Sequence, residues 1–538
     1  MRTLLIDSYD SYVYNLAHLI ADVSGAEPVV VQLKDLDSPD AIAGFDNVVV
    51  SGGSGRSDRS ADFAALVRAA GSAVPVLGLG LREIPGSRGR HSRFEGSVSG
   101  HGRLSRVSHY GAEMFSGVPD EFTAVCGPSF QLPDPLPEEL RVAARDGDGG
   151  VVAVVHRDLP QWWAQLHPES ILTEHGARLI ENFNALTRRV AGGVRSVPAP
   201  RAPLTAPIGS AQEAPGRLVH QCHVRIVDRR VDRAAVFEEL FADAGHRCWL
   251  DFDNSGAGEP RFSVLAGGGP LSELISGRPG EPPVVAFADG RADERVEGSV
   301  FDHIGRELSR RAVLAPELPF EFAGGYLGWH AADTGETDWL FADRMVVVDH
   351  LSSTTYVMCL SADSPVEPEA ARQWCDAAVA AIRRLPGEPV DGRSGSHLAN
   401  LRLDGAEIAC SALERVVRVD ADGWVEARTA VAPADGEGLL TVDLLRNELG
   451  RVCSVGTVSV PDLMDADDRA EVVPTVRGRL RAGAGAIDAV RAVLSTAGDQ
   501  RGFVGWFSST GAAHLKSADL VVERSGHDGT TVLDTAAK

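Results

Sequence analysis

The first 189 residues alternate short apolar runs with stretches of helical period. TLLID (3–7), PVVVQ (28–32), NVVVSGG (47–53) and PVLGLG (75–80) are apolar nearly throughout, and between them SYVYNLAHLIADV (11–23) and SADFAALVRAAG (60–71) place apolar residues on one helical face. Strands without polar alternation, separated by helices, predict a parallel sheet covered on both faces. EFTAVCG (121–127), LRVAARDG (140–147), VVAVVHR (151–157) and WWAQLH (162–167) read as shorter strands joined by turns. VPVLGLGLREIPG (74–86) predicts a strand, a sharp glycine turn and then a helix, the geometry that presents a nucleophile at the tip of the turn. The tip is Gly80, which has no side chain.

After 217 the texture changes. CHVRIVDRR (222–230), RFSVLAGG (261–268), RMVVVDH (344–350), TYVMCLSAD (355–363) and ERVVRVDADGWVEAR (414–428) predict antiparallel strands. DRAAVFEELFADAG (232–245) and EPEAARQWCDAAVAAIRRL (367–385) predict helices. This is an α+β pattern. Between the halves, residues 190–217 hold five prolines and few large apolar side chains, the composition of a semi-extended linker. The division expected is 1–189, a linker at 190–217, and 218–538.

Charge narrows the classes of partner. With 52 basic and 75 acidic residues, the formal net charge is -23. Such a surface repels phosphate backbones and anionic lipid, so neither nucleic acid nor membrane is expected as a partner. No apolar run has the length of a membrane span, and MRTLLIDSYD lacks the features of a signal peptide. Seven cysteines are dispersed without a Cys-x-x-Cys pair, which suits reduced thiols and a cytoplasmic location. His220 and His223 lie three apart on a predicted strand and so point to opposite faces, which argues against a shared metal.

The candidate chemistry of the first half is His167 followed by Glu169, a general base with an orienting acid at a strand end. That is two thirds of a nucleophilic triad. LLIDSYDSYVYNL (4–16), VVVSGGSG (48–55), PVLGLGL (75–81), GHGRLSRVSH (100–109) and QLHPESILTEHG (165–176) together resemble a class I glutamine amidotransferase domain of the aminodeoxychorismate and anthranilate synthase type. The resemblance implies a flavodoxin-like α/β fold and a cysteine at the elbow that attacks glutamine and releases ammonia. Here that position is Gly80, Arg82 replaces the last elbow glycine, and Glu83-Ile84 replace a His-Gln pair. Ser51, Gly52 and Gly53 stand at the oxyanion loop, and Gly127-Pro128-Ser129 replace a glutamine-contacting Tyr-His-Ser stretch. Cys126 and Ser51 are the conceivable substitute nucleophiles, each displaced from the elbow.

The second half is similar to the chorismate-utilising component I fold, in shortened form. CWLDFDN (248–254), RFSVLAGGGP (261–270), LPFEFAGGYLGW (318–329) and DWLFADRMVVVDH (338–350) resemble its front; LLTVDLLRNELGRVCSVGTVSVPDLM (439–464) and TVRGRLRAGAGAIDAVRAV (475–493) resemble its back. The order is that of the fused aminodeoxychorismate synthases, of the 4-aminobenzoate and folate pathway. The resemblance implies Mg2+, with Glu437 at a metal-binding carboxylate. A site lysine falls near Val431, a histidine near Ala470, a substrate-clamping arginine near Asp519, and a glycine-rich loop and a last metal-binding glutamate are missing. It also implies a tryptophan-type pocket near Trp249 and Asp251. Losing most of the charge compensation a dianion needs predicts a degenerate homologue without glutaminase activity or chorismate amination, acting as a binding or scaffolding protein. Its partner would be an intact synthase subunit or a small-molecule ligand. The alternatives are an enzyme of chorismate-related secondary metabolism with altered chemistry, or a residual ammonia-dependent synthase.

Overall fold

The structure is a computed structural model that describes residues 1–8, 10–36, 39–52, 60–81, 83–85, 91–93, 103–127, 136–193, 218–252, 261–332, 334–362, 367–387, 399–410, 413–428, 436–461, 474–496, 502–518, 521–525 and 531–535. The chain divides into two units. One comprises Met1–Ser210 with Thr429–Gly478, the other Ala211–Arg428 with Arg479–Lys538.

In the first unit the apolar runs form a nine-stranded sheet. Its order is Val29–Gln32, Thr3–Ser8, Asn47–Gly52, Val76–Leu79, Gln161–Ala164, Val151–His156, Leu140–Asp146, Arg103–His109 and Glu121–Cys126. The first five strands are mutually parallel and the rest antiparallel. The parallel strands are apolar throughout because both faces are covered. Leu5, Val49 and Leu77 pack with Leu16, Ile20 and Phe183 on one side; Leu4, Ile6, Val48 and Val50 pack with Leu66 and Val67 on the other. Helices Val13–Ser24, Ser60–Ala70 and Gly176–Gly193 supply those layers. The last of them runs into the stretch expected as linker, because Arg188–Gly193 contains no proline to stop it. Residues 194–217 lie outside the described residues.

Two expectations are corrected. Among the described residues that follow the glycine turn there is no helix: Glu83–Pro85 pairs antiparallel with His91–Arg93. Pro85 and Gly86 fall where a first helical turn would have to propagate, and both oppose it. The second correction concerns the boundary of the 218–538 stretch, since Thr429–Gly478 clusters with the first unit. Helix Gly436–Val452 lies against helix Val13–Ser24. Val442, Leu445 and Leu449 bury its apolar stripe. Gly450 allows the close approach: a Cβ there would already sit 3.3 Å from His18 Nε2 and 3.3 Å from Tyr14 Cβ.

The second unit is built from two sheets. One runs Arg311–Leu314, Leu218–Val227, Thr354–Ala362, Arg344–Asp349, Phe262–Gly267, Arg247–Phe252, Ala399–Leu403, Ala406–Cys410, Val521–Ser525 and Thr531–Thr535. The other includes Glu273–Gly277, Thr337–Ala342, Gly325–His330, Gly502–Ser508, Ala513–Ala518, Leu413–Val419 and Trp424–Arg428 in that order. Helix Arg233–Phe241 packs on the first sheet and is capped by Asp232, whose carboxylate accepts from Ala234 N and Ala235 N. Such a cap is worth about 1 kcal/mol.

Candidate functional site

Strand Val76–Leu79 ends at Gly80, whose φ of +63° is the left-handed turn of an elbow. Its N–H donates to Ala164 O at 2.9 Å, which fixes the turn beside strand Gln161–Ala164. The next residues of that neighbour carry Gln165 and His167. His167 Nδ1 faces Glu169 Oε1 at 2.8 Å, and both side chains are buried. The His167 N–H donates to Val125 O at 2.9 Å, and Ser170 N closes the turn onto His167 O at 3.2 Å. Sheet and turn thus bring Gly80, His167 and Glu169 together.

The space at the seat itself is narrow. A Cβ on Gly80 would lie 3.8 Å from His167 Cε1, the direction a triad requires, but only 2.6 Å from the carbonyl oxygen of Gly52. The strand carrying the oxyanion-loop residues therefore sits where a nucleophile's stem would pass. Ser51 is buried and donates its hydroxyl to Asp10, so that oxygen is committed elsewhere. Gln165 Nε2 donates to Leu81 O across the mouth of the turn. Cys126 is buried, and burial together with the Asp146 carboxylate pushes its thiol up to about 12, which leaves no thiolate at neutral pH. Gly53, Arg82, Pro128 and Ser129 lie outside the described residues, as does the side chain of Glu83.

Electrostatically the dyad is a buried cation among carboxylates. Burial lowers the His167 pKa, but Glu169, Asp10 and Asp443 overcome it and raise the value to about 9. Glu169 is itself pushed up by burial, with His167 pulling the other way. Tyr12 lies edge-on to the imidazole, ring centroids 5.3 Å apart, and burial and the Asp443 charge raise its phenol well above the usual range. Asp10, His167 and Glu169 are the described group with ligand atoms close enough for a metal, all within 4.8 Å. One oxygen of Glu169 is bonded to the imidazole, and Asp10 accepts from Ser51.

Asp443, Arg446 and Asn447 are the residues of this region that the sequence reading missed. They are carried by helix Gly436–Val452. Asp443 accepts from Ser170 Oγ at 2.5 Å, Ile171 N at 3.3 Å and Arg446 Nη1 at 2.5 Å, and Arg446 also donates to Glu169 O at 3.2 Å. Asn447 Oδ1 accepts from Tyr14 N at 2.8 Å, and Asn15 donates to Asp443 O at 2.8 Å. The stretch TVDLLRNELGRVC was conspicuous, but nothing in it says which unit it joins.

The residues that the resemblance gives to the Mg2+ site fall outside what the structure describes. Glu437 lies in the first turn of that helix with its side chain outside the described residues, and Val431, Ala470 and Asp519 are also outside them. One carboxylate is too few for Mg2+ without further ligands.

In the second unit Trp249 and Asp251 do meet. Trp249 Nε1 donates to Asp251 Oδ1 at 2.8 Å, and Arg233 Nη1 donates to Asp251 Oδ2 at 2.8 Å. The Arg233 guanidinium lies 5.6 Å from the Trp249 ring centroid. These groups pack with Phe237 and Phe241 on one face of strand Arg247–Phe252. A cavity of about 290 Å³ opens on the other face, where alternation places Phe252. Phe262, Phe320, Phe322, Trp506 and the Glu321–Arg418 ion pair at 3.3 Å also line it.

Comparison with known proteins agrees with this architecture. Residues 4–186 match the family model for glutamine amidotransferase class-I, and residues 435–498 match the model for chorismate binding enzyme. The second match thus opens on the helix that docks in the first unit. The chain is 32% identical to an aminodeoxychorismate synthase of Streptomyces pristinaespiralis, over 92% of this chain and 84% of that protein. It is 29% identical to that of Streptomyces griseus, over 98% of this chain and 90% of that protein. Anthranilate synthase component 2 of Mycobacterium tuberculosis is 36% identical over 40% of this chain and 99% of its own length. No helix among the described residues is long and apolar enough to cross a membrane. With that likeness running across both halves, the chain belongs to the aminodeoxychorismate synthase family.

Proposed function

We propose that this member of the family has lost the glutaminase half-reaction, and chorismate amination with it, and acts as a binding or scaffolding protein. The observation that carries the reading is the elbow: Gly80 has no side chain, and the Gly52 carbonyl comes within 2.6 Å of where one would begin. Amide hydrolysis by this fold needs a nucleophile between the base and the oxyanion donors. His167 and Glu169 remain, but a base with nothing to activate at that point forms no thioester. Support for the loss of the second reaction comes from the sequence, where Val431, Ala470 and Asp519 stand at positions the family resemblance gives to lysine, histidine and arginine.

A binding role is supported by the cavity of the second unit. Its rings offer faces to a flat side chain, and Glu321 and Arg418 offer one charge of each sign to an ammonium and a carboxylate. An aromatic amino acid such as tryptophan is the ligand class proposed. The second reading, an ammonia-dependent aminodeoxychorismate synthase, is favoured by the 32% identity over 92% of the chain to a protein of that name.

The test is incubation of the full chain with chorismate and Mg2+, plus glutamine or ammonium, followed by chromatography. No consumption of chorismate in either arm is the outcome expected. Product with ammonium alone establishes the second reading, and product driven by glutamine overturns the proposal. Thermal unfolding with and without tryptophan checks the cavity.

A further inference from the structure

We propose that Asp443 and Arg446, carried on helix Gly436–Val452, are positioning residues for the His167–Glu169 turn. The role does not depend on whether glutaminase activity survives.

The helix makes two sets of contacts that do different work. One set fastens it to helix Val13–Ser24: Asn447 to Tyr14 N, Asn15 to Asp443 O, and His18 Nε2 to Gly450 O at 3.2 Å. Arg451 over the Tyr14 ring, at 5.4 Å, belongs to the same seam. Those contacts would hold the helix whatever side chain stood at 443. The other set reaches past the neighbouring helix to the turn that holds the dyad. It grips three consecutive residues: Glu169 through its carbonyl, Ser170 through its hydroxyl, and Ile171 through its N–H.

A fully buried carboxylate and a nearly buried guanidinium are costly to desolvate and add little net stability over apolar packing. A helix needing only adhesion has Val442, Leu445 and Leu449 for that purpose. What the charged pair adds is direction. Glu169 orients the imidazole from within the turn, and Asp443 with Arg446 orients the turn from a segment more than 270 residues away in the chain. The groups facing His167 are Glu169, Asp10, Asp443 and Tyr12, with Arg446 paired to Asp443. The proton on His167 and the seating of this helix are therefore linked. Protonation strengthens the hold of Asp443, and withdrawal of Asp443 weakens the imidazolium.

The test follows the His167 ring by NMR in the full, histidine-labelled chain, assigned by loss of its signal in H167Q. D443N is expected to lower the titration midpoint by about half a pH unit or more, roughly threefold in the protonation equilibrium. R446Q leaves the Asp443 charge uncompensated and is expected to move the midpoint upward. N447A loosens the same helix without touching the turn, and its midpoint stays with the unsubstituted protein while its melting temperature falls. Equal shifts in D443N and N447A, or none in D443N, overturn the proposal. Should D443N fail to fold, the sign in R446Q decides: a fall or no movement overturns it.

Discussion

In the first unit His167 faces Glu169 at 2.8 Å; in the second His303 Nε2 faces Glu273 Oε1 at 3.1 Å. Both pairs are buried and built from the same two residue types, but their surroundings differ. Glu273 also accepts from Tyr326 OH and from Arg311, and Arg311 in turn pairs with Glu307 at 3.2 Å and lies 4.1 Å from the Phe341 ring centroid. Burial raises the Glu273 pKa, but these partners outweigh it and hold the carboxyl at about 2. Glu169 has a second oxygen, Oε2, that is buried without a hydrogen-bond partner, and burial pushes its pKa up. A network in which both carboxylate oxygens accept hydrogen bonds is a structural joint. One with spare capacity, held beside a turn of left-handed glycine, bears the marks of a site.

The sharpest way to break the comparison is E273Q. Leaving Arg311 and its neighbours around a neutral amide is expected to destabilise the second unit by about 3–5 kcal/mol, read by chemical unfolding of the full chain. E169Q, which leaves fewer partners stranded, should cost about half as much or less by the same measurement. A larger effect in E169Q than in E273Q would reverse the distinction.

The elbow comes next. G80C places a side chain at φ +63° and against the Gly52 carbonyl, and is expected to cost roughly 1–3 kcal/mol in thermal unfolding. Ammonia released from glutamine should stay at background in that variant. A G80C chain that is both stable and glutaminase-active would show that the seat was vacated and never refitted.

Smaller effects are read against pH. The His167 pKa in the folded chain, about 9, lies above the ordinary value of about 6.5. Its contribution to stability is therefore complete below pH ~6.5 and is lost as pH rises through about 9. Glu273 is the opposite case: its folded value lies below the ordinary ~4.3, so its contribution is present above that and is lost as pH falls through about 2. Unfolding free energy measured between pH 6 and 10 should decline, and H167Q should flatten the decline while leaving the acid limb in place.

Much of this was legible in the chain. Continuous apolar runs such as Val48–Val50 announced a sheet covered on both faces, and the dyad could be read from two positions one proline apart. Where a helix is expected after the elbow, the described residues Glu83–Pro85 are an extended, paired strand, because Pro85 and Gly86 oppose a helical start. The tryptophan-type pair Trp249 and Asp251 shows a different limit. Adjacent positions on a strand face opposite ways, and only the register Phe252↔Phe262 and Asp251↔Ser263 tells which side is cavity and which is core. Least legible was Asp443. Its stretch has an unmistakable helical pattern, but the partner of a buried charge hundreds of residues distant leaves no periodicity to detect.

That same helix bears on how the protein comes into being. The first unit is assembled from two stretches separated by Ala211–Arg428, so it emerges from the ribosome lacking one of its own layers. At ~5–20 residues per second the missing piece follows on the order of 10–40 s later. During that interval Tyr14, His18 and the Ser170 turn await the segment that will cover them.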